Sequence, residues 1–194
     1  MNNEDKKIPR IEDRFVKTKE FTKHNQWNQL NKLIEQGLIT KVKRGIYYKE
    51  ANTMIDQTDE VSQIVPSGVF CLFTAWQHYN LSTQNPPDFH IALRNKEKIR
   101  LPDYPPIKLY YWSEKYYNLG IAEIEKDRQT IKIYDLEKSV CDAVRFRNKV
   151  GMDTTIEILQ NYVKRKDKNL NKLNRYAQQL GVGNIVQNMI MTLL

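Results

Sequence analysis

No run of apolar residues in this 194-residue chain exceeds the five of Val69–Phe73. A helix that crosses a bilayer needs about 20 consecutive apolar residues, so that class is excluded. Apolar residues make up 40% and charged residues 28%, which suits a packed core and not wholesale disorder. The length fits one ordinary domain or two small ones. The opening MNNEDKK is polar with no apolar segment behind it, which predicts no secretory signal and a cytoplasmic protein. Cys71 and Cys141 lie 70 positions apart inside apolar segments, so two reduced, buried thiols are expected rather than a disulfide framework or a CxxC site.

The net charge of +8 gathers at two poles. Residues 1–50 carry twelve Lys/Arg against seven Asp/Glu, and residues 161–180 carry six against one, a balance of +5 in each. The stretch 51–160 carries thirteen against fifteen. Two basic poles about a near-neutral body orient a protein toward a polyanion. A solvated lysine-rich surface, in a chain with seventeen asparagines, accounts for the same counts, so charge alone favours nucleic acid only modestly.

Hydrophobic spacing predicts an α+β chain in two units. In residues 1–50, Trp27, Leu30, Leu33 and Ile34 recur at helical spacing, with Thr22 as N-cap and Gly37 as the stop. Leu38–Val42 and Ile46–Tyr48 read as short strands reversed at Lys43-Arg44-Gly45. A helix, a glycine and a hairpin with a basic tip predict an N-terminal winged helix-turn-helix. Residues 51–60, ANTMIDQTDE, are the predicted linker. The second unit, 61–194, opens with a predicted helix over 67–79, followed by strands at Phe89–Arg94, Ile107–Trp112, Gly120–Glu125 and Thr130–Tyr134. Phe89, Ile91 and Leu93 alternate with His90, Ala92 and Arg94, which predicts a small antiparallel sheet covered on one face. Helices capped by Asp135 and Asp153, then apolar spacing over Leu170–Leu180 and Ile185–Leu193, predict a C-terminal helical bundle.

The helix from Thr22 to Gln36 is the first candidate for chemistry. Lys23, His24, Asn25, Gln26, Asn28, Gln29 and Lys32 take its non-apolar positions, and its one acid, Glu35, sits at the far end. Asparagine and glutamine amides pair with adenine in the major groove, and lysine reaches guanine or phosphate. Base contacts come from the N-terminal half of a recognition helix. The alternative is an asparagine-rich solvent face, although such faces more often show Glu/Lys pairs four apart. Lys41, Lys43 and Arg44 lie on or near the hairpin tip, within reach of phosphates or a minor groove. Lys164, Arg165, Lys166, Lys168, Lys172 and Arg175 form a second basic segment, either a further polyanion contact or a solvated face. Tyr110, Tyr111, Trp112, Tyr116 and Tyr117 beside Lys108 and Lys115 have the makings of a base-stacking platform, though strand aromatics more often pack a core.

Enzyme motifs are missing. There is no GxxxxGK[ST], GxGxxG, GxSxG or HExxH, and His24, His78 and His90 lack metal-ligand spacing. Asp135, Glu137 and Asp142 cluster at a strand-to-helix junction, where capping and ion pairing with Lys138 and Arg145 explain them better than catalysis. No catalytic residue, cofactor or metal is predicted.

Three segments resemble one family. WNQLNKLIEQGLITKVKRGIYY is similar to the winged-helix end of AbiEi-type antitoxins, the regulator half of bacterial abortive-infection (type IV) toxin–antitoxin operons. PSGVFCLFTAWQHYNLS resembles a helix of that family through Pro66, Ser67, Thr74, Ala75, His78 and Leu81. IKIYDLEKSVCDAVRFR resembles its strand-to-helix junction through Asp135, Glu137, Lys138, Ser139 and Asp142. The likeness runs in order over roughly residues 20–190, departing at Trp76, where an aliphatic residue is usual, and at Ser139, where threonine is. The resemblance implies a repressor of its own operon that binds double-stranded DNA at operator repeats through positions 23–32 and 41–44. It also implies a C-terminal unit that counteracts a separate nucleotidyltransferase-like toxin. A homodimer on the DNA is the assumed arrangement. The competing expectation is a protein-binding adaptor that neutralises its partner by direct contact, without sequence-specific DNA binding.

Overall fold

Gly37, with φ at +69°, closes the first long helix. In the computed structural model, which describes residues 15–18, 24–49, 57–126 and 129–193, the Gly37 amide donates to the Ile34 carbonyl at 3.0 Å and the Leu38 amide to Leu33 at 2.9 Å. Such a paired closure needs a left-handed residue, which glycine supplies without steric cost. The chain divides into two compact units, Met1–Pro66 and Ser67–Leu194.

The first unit runs β1 (Phe15–Lys17), α1 (His24–Glu35), β2 (Ile39–Lys43), β3 (Ile46–Lys49) and α2 (Gln57–Ile64). Its strands form an antiparallel sheet in the order β1-β3-β2, with a register shift between Lys41 and Lys43. α1 packs on β2, with Leu30, Ile39 and Tyr47 buried and Leu33 and Ile34 partly so. Three such side chains contribute roughly 2 kcal/mol each, little against an ordering cost of about 1–2 kcal/mol per residue. α2 also contacts β2 and adds the buried Val61 and Ile64. Residues 57–60 of the predicted linker and 61–64 of the predicted second unit thus form one helix within the first unit. The predicted cap Thr22 and residues 51–56 lie outside the described residues.

The second unit runs β4 (Val69–Phe70), α3 (Leu72–His78), β5 (Phe89–Arg94), β6 (Ile107–Trp112), α4 (Glu114–Tyr117), β7 (Ile121–Lys126), β8 (Gln129–Tyr134), α5 (Leu136–Arg145), α6 (Arg147–Val150), α7 (Met152–Val163), α8 (Leu170–Gln179) and α9 (Gly183–Leu193). Its five strands make one mixed sheet, β6-β5-β4-β8-β7. β5–β6 and β4–β8 are parallel, whereas β4–β5 and β7–β8 are antiparallel. The predicted antiparallel sheet with one open face is therefore wrong. On β5, His90 and Ala92 are as buried as Ile91 and Leu93, so both faces are covered and the alternation of residue types does not report exposure. The predicted helix over 67–79 is also corrected. Val69 and Phe70 form β4 between β5 and β8, and α3 starts only at Leu72. A strand flanked on both sides and buried on both faces carries a continuous apolar run, which spacing alone does not separate from a buried helix.

The α+β class stands, and α5, α7, α8 and α9 pack together as a helical group. α5 is its axis, buried from Leu136 to Val144. Asp135 caps it by accepting from the Lys138 amide at 2.9 Å, and buried Trp76 donates its indole N–H to the Ser139 carbonyl at 2.9 Å. A Cβ at Gly120, where φ is +74°, would meet the Lys138 Cβ at 2.6 Å, so α5 lies against bare backbone there. α7 begins directly after Gly151, which puts Asp153 in its first turn instead of at the predicted cap. Both cysteines are free and buried, and burial raises both thiol pKa values. Among the described residues no helix is long and apolar enough to cross a membrane.

His90 gives the fold a pH dependence. The ring is 3% exposed, lies edge-on to Phe73, and has Nδ1 2.9 Å from the Tyr110 hydroxyl. Burial, helped by Lys108 and opposed by Asp88, lowers its pKa from 6.5 to about 4. The unfolded chain therefore takes up a proton near pH 6.5 that the folded chain refuses until about pH 4. Stability from this group is present above pH 6.5 and lost as pH falls through that window, by up to about 3 kcal/mol. Thermal melts from neutral pH downward are expected to show a falling Tm, and His90→Gln a shallower fall. Equal slopes in the two proteins would contradict this account of His90.

Candidate nucleic-acid interface

The hydrophobic stripe of α1 fixes what the helix leaves to solvent. With Leu30 buried against Ile39 and Tyr47, the exposed positions include Asn28 and Lys32. Positions 25, 28, 29 and 32 recur at three- and four-residue spacing along one stripe of the helix. α1 has no acid in its first turn, where the helix dipole presents positive charge. His24, Asn25, Gln26 and Gln29 take their places on the α1 backbone, and Lys23 lies outside the described residues.

α1 leads through Gly37 into β2 and β3, whose connecting turn is Arg44-Gly45. Gly45 has φ at +87°, and its carbonyl accepts from the Thr18 amide at 2.9 Å, which ties the turn to the end of β1. Lys41 and Arg44 are exposed, and Lys43 ends β2 at the register shift. The hairpin thus offers fixed cationic positions directly after an amide-bearing helix.

The second basic segment is not one solvated face. Arg165 lays its guanidinium along Asp167, with Nε and Nη2 each 2.8 Å from a carboxylate oxygen, and Nη1 donates to the Tyr79 carbonyl at 2.7 Å. The Lys168 ammonium donates to the Arg165 carbonyl at 2.9 Å. Lys172 bridges Asp135 and Glu137 at 3.1 Å each. Burial presses the Lys172 pKa down, but these two carboxylates outweigh it and hold the group above its ordinary value. Lys164, Lys166 and Arg175 are exposed. Three of the six predicted cations are therefore engaged, Arg165 and Lys168 within the α7–α8 connection and Lys172 between α8 and the start of α5, and the other three face solvent.

The carboxylates of the Asp135–Asp142 segment are similarly engaged. Asp135 also accepts from the Tyr176 hydroxyl at 3.1 Å, and Glu137, 4% exposed, accepts from the Asn169 amide at 3.1 Å. Asp142 pairs with Lys138 Nζ at 2.6 Å, with both side chains wholly buried. Burial raises the Asp142 pKa, with Lys138 opposing. The Arg145 guanidinium stacks 3.9 Å over the Tyr116 ring. Capping and pairing with Lys138 are thus as expected, Lys172 is an additional partner, and Arg145 acts on Asp142 through its charge while its guanidinium stacks on Tyr116. Among the described residues no group of three or more His, Cys, Asp or Glu has metal-binding geometry.

Of the aromatic run, Trp112 and Tyr117 are core residues, Tyr110 meets His90, and only Tyr111 is exposed. The run packs the core and offers no row of rings to stacked bases. The engagement of Lys172 escapes sequence reasoning, because its partners lie more than thirty positions away with no local pattern to mark them. No protein-family model matches the chain, and no curated protein matches its sequence.

Proposed function

We propose that this chain is a cytoplasmic, DNA-binding transcriptional regulator and antitoxin that represses its own operon and counteracts a nucleotidyltransferase-like toxin. The observation that carries the reading is the first unit's succession of α1, Gly37 and a hairpin with a basic tip. It supports a winged helix in which α1 enters the major groove while Lys41, Lys43 and Arg44 hold the flanking phosphates. The operon role and the toxin rest on the resemblance to AbiEi-type antitoxins. Lys164, Lys166 and Arg175 remain available to a second anionic contact.

Binding to the DNA upstream of the gene is expected to weaken steeply with salt. If about six phosphates are neutralised, log K falls against log salt with a slope of about −5. A fluorescence-anisotropy titration over several salt concentrations measures it. A slope near zero would contradict the reading and leave the protein-binding adaptor, which tight co-purification with the neighbouring gene's product would then support.

A further inference from the structure

The mixed sheet of the second unit ends on one side at β6, which pairs only with β5. The Pro106 carbonyl accepts from the Phe89 amide and the Trp112 carbonyl from the Asn95 amide, each at 2.8 Å. In a parallel ladder alternate residues of a strand turn both backbone groups toward one neighbour. Lys108, Tyr110 and Trp112 therefore face β5, and Ile107, Leu109 and Tyr111 turn their amides and carbonyls outward. Among the described residues none of these three amides has a hydrogen-bond partner. Their side chains share one face of the strand, Ile107 and Leu109 half-buried and Tyr111 49% exposed. An unpaired edge of this kind is a template for another strand.

Charge and backbone polarity say which strand. Lys96, Lys98 and Arg100 in the β5–β6 connection, Lys108 on β6 and Lys115 just past it are all exposed. Among the described residues none of the five makes an ion pair. The acids nearby are fewer. Glu114 is held by Arg94 at 3.2 Å and Glu97 accepts from the Ser67 hydroxyl, which leaves Asp88 and Asp103. The β6 edge of a second copy would bring the same cations against these. Its β7 edge exposes Glu123 and Glu125, but β6-to-β7 pairing repeats head to tail without closing and builds open-ended chains. A nucleic-acid backbone supplies acceptors only, so it would meet the outward carbonyls unfavourably. An extended peptide supplies donors and acceptors together, in the spacing of the strand itself.

We propose that β6 is a docking edge for an extended acidic segment of another protein, in which carboxylates alternate with apolar residues. The carboxylates lie on the face of Lys108, and the apolar side chains lie beside Leu109 and Tyr111. The readout of the test is confined to β6, so this proposal and the regulator reading can fail separately.

The test is an NMR titration of the isotope-labelled full chain with a short peptide of alternating valine and glutamate. The amides of Ile107, Leu109 and Tyr111 are expected to shift, and those of Glu123 and Glu125 to stay. A peptide of alternating valine and lysine is expected to bind β6 at least about tenfold more weakly. The acidic peptide N-methylated along its backbone, which removes donors without touching the protein, is expected to lose the shifts. Lys108→Glu is expected to weaken the acidic peptide by about tenfold, and Lys149→Glu, exposed on α6, to leave it unchanged. Failure of the acidic peptide to shift the three amides would overturn the proposal, as would their response to a short DNA duplex instead. So would equal binding of both peptides, binding that survives N-methylation, or growth of the free chain into open-ended assemblies on sedimentation.

Discussion

Replacing Lys138 with methionine is expected to lower the free energy of unfolding by about 3–5 kcal/mol. The Lys138 ammonium lies 2.7 and 2.6 Å from the two oxygens of Asp142, with neither side chain exposed. It also sits 4.3 Å from the centre of the Trp112 ring and 4.2 Å from that of Tyr134. Removing the cation leaves the Asp142 carboxylate in the centre of α5 with water excluded and without its hydrogen-bonded partner, the more distant charge of Arg145 being its remaining support. The loss exceeds that of an exposed pair several-fold, because a surface ion pair contributes at most about 1 kcal/mol. Urea denaturation measures the difference. The double variant Lys138→Met/Asp142→Leu is expected to recover most of the loss, since it removes both charges together. A single variant within about 1 kcal/mol of wild type would contradict the account of α5 as an axis organised by this pair.

The second large effect is on binding. Lys41→Ala/Arg44→Ala is expected to weaken retention on the upstream DNA by about 100-fold at low salt, taking two charge-assisted contacts at about 1.5 kcal/mol each. The salt slope is expected to fall from about −5 to about −3, because each lost phosphate contact removes about 0.9. Both side chains are exposed and neither belongs to the small core of Leu30, Ile39 and Tyr47, so the thermal melt should not move. Unchanged binding, or weaker binding with an unchanged slope, would remove these residues from the interface.

What could be read from the sequence was what local chemistry decides. Gly37 ends α1 and Asp135 starts α5 because each acts on backbone groups within a few residues of itself. β4 was not legible. Val69-Phe70-Cys71-Leu72-Phe73 has no periodicity, and only the neighbours β5 and β8 make its first two residues a strand. The mixed character of the sheet was hidden for a related reason, since Ala92 and His90 look like solvent-side positions until both faces of β5 are seen to be covered. Counting charges along 161–180 assumed that each cation faces water. Arg165 and Lys172 instead answer carboxylates, and those of Asp135 and Glu137 reach Lys172 from a distant part of the chain.

The proposed winged helix is tested most directly by an electrophoretic shift of the full chain on the DNA upstream of its gene, beside a scrambled duplex of equal length and composition. Retention on the native sequence that survives a large excess of unrelated competitor DNA is the expected result. No shift at low salt, or equal retention of both duplexes, would contradict sequence-specific binding and with it the regulator reading.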